Sequence, residues 1–201
     1  QRSAAWPVLP RRPWGRWRRE MEDILLFIAE QTGDTVRQRA LLRQRFLLSG
    51  SFEFYEKLKQ ASGAEWTETR EELATTLQAR GERHKLASML ALDQEFDALA
   101  QLLQEETDIR QLQRFEALFL TDHRAFVRDR YVVLMGDYLI DHFGQPAAAY
   151  VRQQLAVLLQ KGEPELVREI ILALTARYSD RTSLPEELAE LLKKKKKRVL
   201  L

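Results

Sequence analysis

The residues with the clearest chemical capacity are the histidines His84, His123 and His142 and the carboxylates beside two of them. Asp122 precedes His123, Asp141 precedes His142, and Asp137 stands one helical turn before Asp141. Residues four apart share a helix face, so Asp137 and Asp141 could together hold a cation. His142 is rotated from Asp141 by about 100°, however, and does not join them. No His-Glu-x-x-His or Glu-x-x-His spacing offers a better ligand set. The paired acids Glu71–Glu72, Glu105–Glu106 and Glu186–Glu187 fall near helix ends or on polar faces, which is the place of solvated charge rather than of an acid–base couple. The chain has no cysteine, which excludes a disulfide, a thiolate nucleophile and a cysteine zinc site. No serine elbow, phosphate-cradling glycine loop or dinucleotide fingerprint is present. The expectation is a protein that is not an enzyme, with no catalytic residue, no metal ligand and no cofactor.

What the sequence does contain is helix. From about Glu20 to Lys196 the apolar residues recur at helical spacing, interrupted by hinges near Gly33, Ser49–Gly50, Ser62–Gly63, Gly81, Gly144 and Gly162–Pro164. Met21, Ile24, Leu25 and Ile28 form one stripe; Val36, Leu41 and Leu48 belong to the next helix, with Asp34 as its N-cap. Ser51 opens a helix with Phe52, Tyr55 and Leu58. Further helices are predicted over 64–80, around Leu86–Leu90, and over 96–103, 109–120, 124–142, 146–160, 164–178 and 185–198. Asp93 is the expected cap of the 96–103 helix. Pro146, Pro164 and Pro185 sit in first turns, where a missing N–H costs nothing. Gly33, Gly81 and Gly144 read as helix C-caps. The aromatics Phe115, Phe119, Phe126, Tyr131, Tyr138 and Phe143 are expected in the core.

Helix starts spaced by roughly 14–20 residues make a two-helix unit of about 30–40, the length of tetratricopeptide and related hairpin repeats. A hairpin that short cannot bury its own apolar face, so neighbours must stack. The predicted fold is all-α, a right-handed array of helical hairpins resembling a tetratricopeptide α-solenoid, with about ten or eleven helices and a concave groove.

Charge is distributed unevenly. Lys and Arg total 32 against 30 Asp and Glu, yet no acid occurs before Glu20. Residues 1–19 hold Arg2, Arg11, Arg12, Arg16, Arg18 and Arg19 together with Trp6, Trp14 and Trp17, and Pro7, Pro10 and Pro13 oppose a regular helix there. The segment is expected as a basic arm or linker, followed by one helical domain over 20–201. At the other end stands the run Lys193, Lys194, Lys195, Lys196, Lys197, followed by Arg198. No stretch of about eighteen apolar residues exists, so no membrane span is expected, and the N-terminal segment lacks the apolar core of a secretory signal. The cysteine-free composition fits a cytoplasmic protein.

Residues Phe52–Trp66 (FEFYEKLKQASGAEW), Thr69–Leu103, Ala147–Leu158 and Ala176–Leu192 resemble the helical C-terminal region of bacterial SWIM zinc-finger proteins. Tyr178, Arg181, Leu184 and Glu187 approximate the closing motif of that region. The resemblance implies degenerate tetratricopeptide-like repeats and an interaction role. The Cys-x-Cys…Cys-x-His motif that gives the family its name is absent, so no zinc role carries over. The combined expectation is a protein-interaction scaffold, part of a larger protein or complex, whose groove takes a partner protein or peptide. Contacts outside the core are expected from Arg11, Arg12, Trp14, Arg16, Trp17, Arg18 and Arg19. The alternative is a nucleic-acid-binding module that uses this arm and Lys193–Lys197, because arginine pairs with phosphate and indoles stack on bases.

Overall fold

The computed structural model describes residues 14–193, and among them every regular element is helical. The helices divide into two compact units, one ending at Met89 and the other beginning at Leu90. The division falls inside a helix, Arg83–Leu92.

The first unit contains α1 (Trp14–Thr32), α2 (Thr35–Ser49), α3 (Phe52–Ser62), a 3-10 turn (Gly63–Glu65), α4 (Trp66–Ala79) and the start of α5 (Arg83–Leu92). Each of α1, α2, α3 and α4 packs on its sequence neighbour. Leu26 and Ala29 of α1, Leu42 and Phe46 of α2, Tyr55 and Leu58 of α3, and Leu73 and Leu77 of α4 are buried. The Tyr55 ring binds the elements together. It lies 5.1 Å from Phe46 and 5.2 Å, edge-on, from Trp66, a geometry that adds to plain burial.

The start of α1 differs from the expected arm. A proline restrains itself and the residue before it, not the residues after it. Trp14 to Arg19 therefore join α1 directly behind Pro13, six residues ahead of the expected start at Glu20. Trp14, Arg16, Trp17, Arg18 and Arg19 are helical residues, whereas Arg11 and Arg12 lie outside the described residues. Lys193 is the last residue of α11, and Lys194–Lys197 lie outside.

The turns are set by local chemistry. The Asp34 carboxylate accepts the Arg37 amide at 3.0 Å and so satisfies one orphan donor at the start of α2. Ser51 takes the N-cap position of α3 without a side-chain cap bond. Gly50 ends α2 with φ at +66°, a conformation only glycine adopts freely, and its N–H returns to the Phe46 carbonyl at 2.7 Å. Lys85 closes the same helix end from α5. Its ammonium donates to the Leu47 carbonyl at 2.5 Å, and it also holds the Glu82 carboxyl below its ordinary range through a hydrogen bond.

The second unit holds α6 (Phe96–Gln104), α7 (Ile109–Phe115), a 3-10 turn (Glu116–Leu118), α8 (Arg124–Asp141), α9 (Gly144–Gln160), α10 (Pro164–Arg177) and α11 (Ser183–Lys193). Here packing skips along the chain: α8 lies on α10 and α9 on α11, while α10 also touches α9 and α11. Three boundaries depart from expectation. Glu95, not Asp93, precedes α6, because Gln94 takes φ +59° and the helix restarts after it, with the cap two residues later. The predicted 109–120 helix tightens to 3-10 geometry after Phe115. Gly144 opens α9 instead of closing α8. Among the expected core aromatics, Phe115, Phe119 and Tyr131 are buried, Phe126 and Tyr138 are half-buried, and Phe143 is exposed.

Replacing Asp34 by Ala removes the cap of α2 without touching the core. The expected loss is about 1 kcal/mol of unfolding free energy, read as a lower urea midpoint at unchanged slope.

Candidate functional site

Helix α1 has two apolar sides, and only one of them is used inside the first unit. Leu26 and Ala29 are buried on the side toward α2. Arg45 of α2 secures that side by pairing with Glu22 at 3.4 Å and with Asp23, while its guanidinium lies 4.9 Å over the Phe54 ring. The other side carries Trp17, Met21, Ile24, Phe27 and Ile28, with exposures of 68, 62, 59, 60 and 44%. Scattered exposed apolar residues need no explanation, but five large ones along one helix form a continuous surface. The stripe Met21–Ile24–Ile28 is therefore legible in the sequence, yet it faces outward, and the core takes Leu26 and Ala29 in its place. Of the residues singled out in the basic segment, Trp17 belongs to this surface.

The second unit holds a polar knot that the sequence does not announce. Glu116 is fully buried. The Tyr131 hydroxyl donates to one carboxylate oxygen at 2.5 Å, and the Lys161 ammonium donates to the other at 2.5 Å. Lys161 also donates to the Gln113 carbonyl at 3.0 Å, and Gln113 bonds Gln154 at 3.0 Å. A buried carboxylate is tolerated only when paired and hydrogen-bonded, and both conditions are met. Burial, then the bond to Glu116, pushes the Tyr131 hydroxyl well above its ordinary range. Every member of the knot has a partner inside the unit, so it holds α7, α8 and the end of α9 in place.

A second group surrounds the end of α8. The Tyr138 ring stacks on His142 at 3.9 Å and on Tyr150 at 4.1 Å, and burial raises the Tyr150 hydroxyl. The Arg181 guanidinium lies 4.6 Å from the centre of Phe143 and donates to the His142 carbonyl at 2.8 Å. The Tyr178 hydroxyl donates to the Gly136 carbonyl at 3.0 Å. A glycine inside a helix costs about 1 kcal/mol relative to alanine, but a Cβ at Gly136 would stand 3.1 Å from that hydroxyl. Leu184 is buried, and Glu187 pairs with Arg152 at 3.0 Å. Tyr178, Arg181, Leu184 and Glu187 thus fasten the α10–α11 turn and α11 to α8 and α9. The open hollow beside Tyr150, of about 480 Å³, is lined by Pro146, Ala149, Arg152, Gln153 and Ala156.

A charged hollow of about 290 Å³ lies in the first unit. Both of its arginines are paired. Arg39 pairs with Glu65, and Arg43 with Glu72 at 2.6 Å and with the Thr76 hydroxyl at 3.3 Å. They join α2 to the turn and helix that follow α3. Asp137 and Asp141 are exposed, and among the described residues no three metal-binding side chains cluster. No protein-family model, curated protein or solved structure matches the chain.

The knot makes a pH prediction. A hydroxyl whose folded value is raised leaves stability intact below the unfolded value of about 10 and loses it as pH climbs beyond that toward the folded value. Tyr131→Phe should lower the urea midpoint at neutral pH by about 1–3 kcal/mol equivalents, since Glu116 loses a buried donor. It should also flatten the fall of stability above pH about 10 relative to the parent. An equal alkaline slope in both proteins would remove Tyr131 from the account.

Proposed function

We propose that this protein is a non-enzymatic protein-interaction module whose contact surface is the outward face of α1. The carrying observation is the run of Trp17, Met21, Ile24, Phe27 and Ile28 left in water on a helix whose opposite side is already packed. Exposing that much apolar surface costs free energy that a partner recovers, and central aromatic and aliphatic anchors of this kind dominate binding energy. The polar groups support the same reading, because they are used to hold helices rather than to meet a substrate. Alternate-helix packing of α8 on α10 and α9 on α11 supports a stack of hairpins in the second unit. The resemblance to the helical region of SWIM zinc-finger proteins points to an interaction role as well, and its best-placed residues, Tyr55, Trp66, Tyr178 and Arg181, work here as packing and fastening groups.

Ile24→Glu places a charge in the middle of the face while leaving the core alone. Proteins recovered with the parent chain from an extract of its source should be lost with the variant, and its thermal midpoint should stay within about 2 °C. Recovery of the same proteins by both would refute the assignment of this face.

One observation favours a second reading, nucleic-acid binding. Arg16, Arg18 and Arg19 share α1 with Trp14 and Trp17, and its first turn has no acid. Phosphate contacts release counterions, so binding of a single-stranded oligonucleotide would weaken with a log–log salt slope of about −0.7 per contact. Replacing Arg16, Arg18 and Arg19 by Gln should then remove about two units of that slope. Binding that is absent at low salt disposes of this reading.

A further inference from the structure

Resting on the reading of the α1 face as an interaction surface, we propose its occupant: the α1 helix of a second copy of this chain, laid antiparallel. Trp17, Met21, Ile24 and Ile28 are separated by four, three and four residues. That alternation is the spacing of a coiled-coil seam, in which knobs from one helix enter holes on another of the same period. The buried side of α1 lies opposite the seam, so a second helix can lie along it without displacing α2. A two-fold contact needs a patch that complements itself. In antiparallel register, Trp17 of one copy meets Ile28 of the other, and Met21 meets Ile24, so all four residues find a partner. Phe27 widens the same seam at its flank.

Charge selects the direction. Before Glu20 the chain has arginines and no acid. From Glu20 to Val36 it has Glu20, Glu22, Asp23, Glu30 and Asp34 and no lysine or arginine. Arg45 offsets Glu22 and Asp23, and Lys57 stands near Asp23 and Glu30, so the contrast along α1 comes chiefly from its basic end. Parallel pairing sets the basic end beside the basic end. Antiparallel pairing keeps the two basic ends a helix length apart, which removes that repulsion. The helix has 19 residues, fewer than about three heptads. The contact is short, and its dimer is expected to form reversibly at micromolar concentration or above.

The chain has no cysteine, so an introduced one is unique. Sedimentation equilibrium of the full chain from about 1 µM to about 1 mM should show a monomer–dimer equilibrium. Ile24→Glu should weaken it on the order of 100-fold, with an unchanged unfolding midpoint because Ile24 is mostly exposed. When Trp17→Cys and Ile28→Cys proteins are mixed under mild oxidation, the mixed disulfide should dominate. Predominant Trp17→Cys self-linked dimers would mean parallel pairing and overturn the proposal, and a dimer indifferent to Ile24→Glu would place the contact elsewhere and overturn it too. Reaction of Ile24→Cys with a thiol reagent separates the two levels of inference. Fast reaction when dilute and protection when concentrated is the expected result. A monomer at every concentration that reacts fast sinks the self-pairing and leaves the face for a different partner. A monomer that reacts slowly when dilute has the face covered by its own chain, and both readings fall.

Discussion

A helix of seven to nineteen residues does not hold itself together in water, because nucleation costs more than its few hydrogen bonds return. Each helix must lay a stripe on a neighbour, and this requirement organises everything else in the molecule. In the first unit it is met between consecutive helices, with Tyr55 as the shared ring. In the second it is met between alternate ones, so that each of α8 and α9 waits for a helix two places further on. α1 differs in one respect. It meets the requirement with Leu26 and Ala29 and still has a second stripe left over.

The polar groups show how tightly the packing is specified. Glu116 enters the interior because a hydroxyl and an ammonium meet its two oxygens. Replacing such a set by apolar residues is often neutral for stability, but a half-met set is costly, so the knot acts against wrong arrangements of α7, α8 and α9. Arg181, Tyr178 and Lys85 work differently: each ends on a backbone carbonyl near a helix terminus or at a close crossing. Carbonyls at helix ends have no intrahelical donor, and side chains from the next element supply one.

Helix content and most boundaries were legible in the sequence because the apolar period and the glycine hinges are local signals. Asp34 is readable as a cap for the same reason. Three things were not. The start of α1 was hidden by the prolines, whose restriction ends at Pro13. The exposed side of α1 was hidden because Met21, Ile24 and Ile28 repeat as regularly as a core stripe does, and only the placement of Leu26 and Ala29 against α2 separates the two. Glu116 was hidden because its partners, Tyr131 and Lys161, are distant in sequence and ordinary in type. A carboxylate flanked by Phe115 and two further apolar residues, Ala117 and Leu118, is the one local hint that it goes inside.

The separation of Glu116 from Lys161 has a consequence for how the chain is made. Fifteen residues part Glu116 from Tyr131, but 45 part it from Lys161. The helices of the first unit touch their immediate neighbours, so that unit can form as it leaves the ribosome. The second cannot neutralise its interior carboxylate until the end of α9 has emerged, nor fasten α8 and α9 until Tyr178, Arg181 and Glu187 have followed. During synthesis there is an interval when half of the molecule is folded and the other half holds an acid with nowhere to go but water.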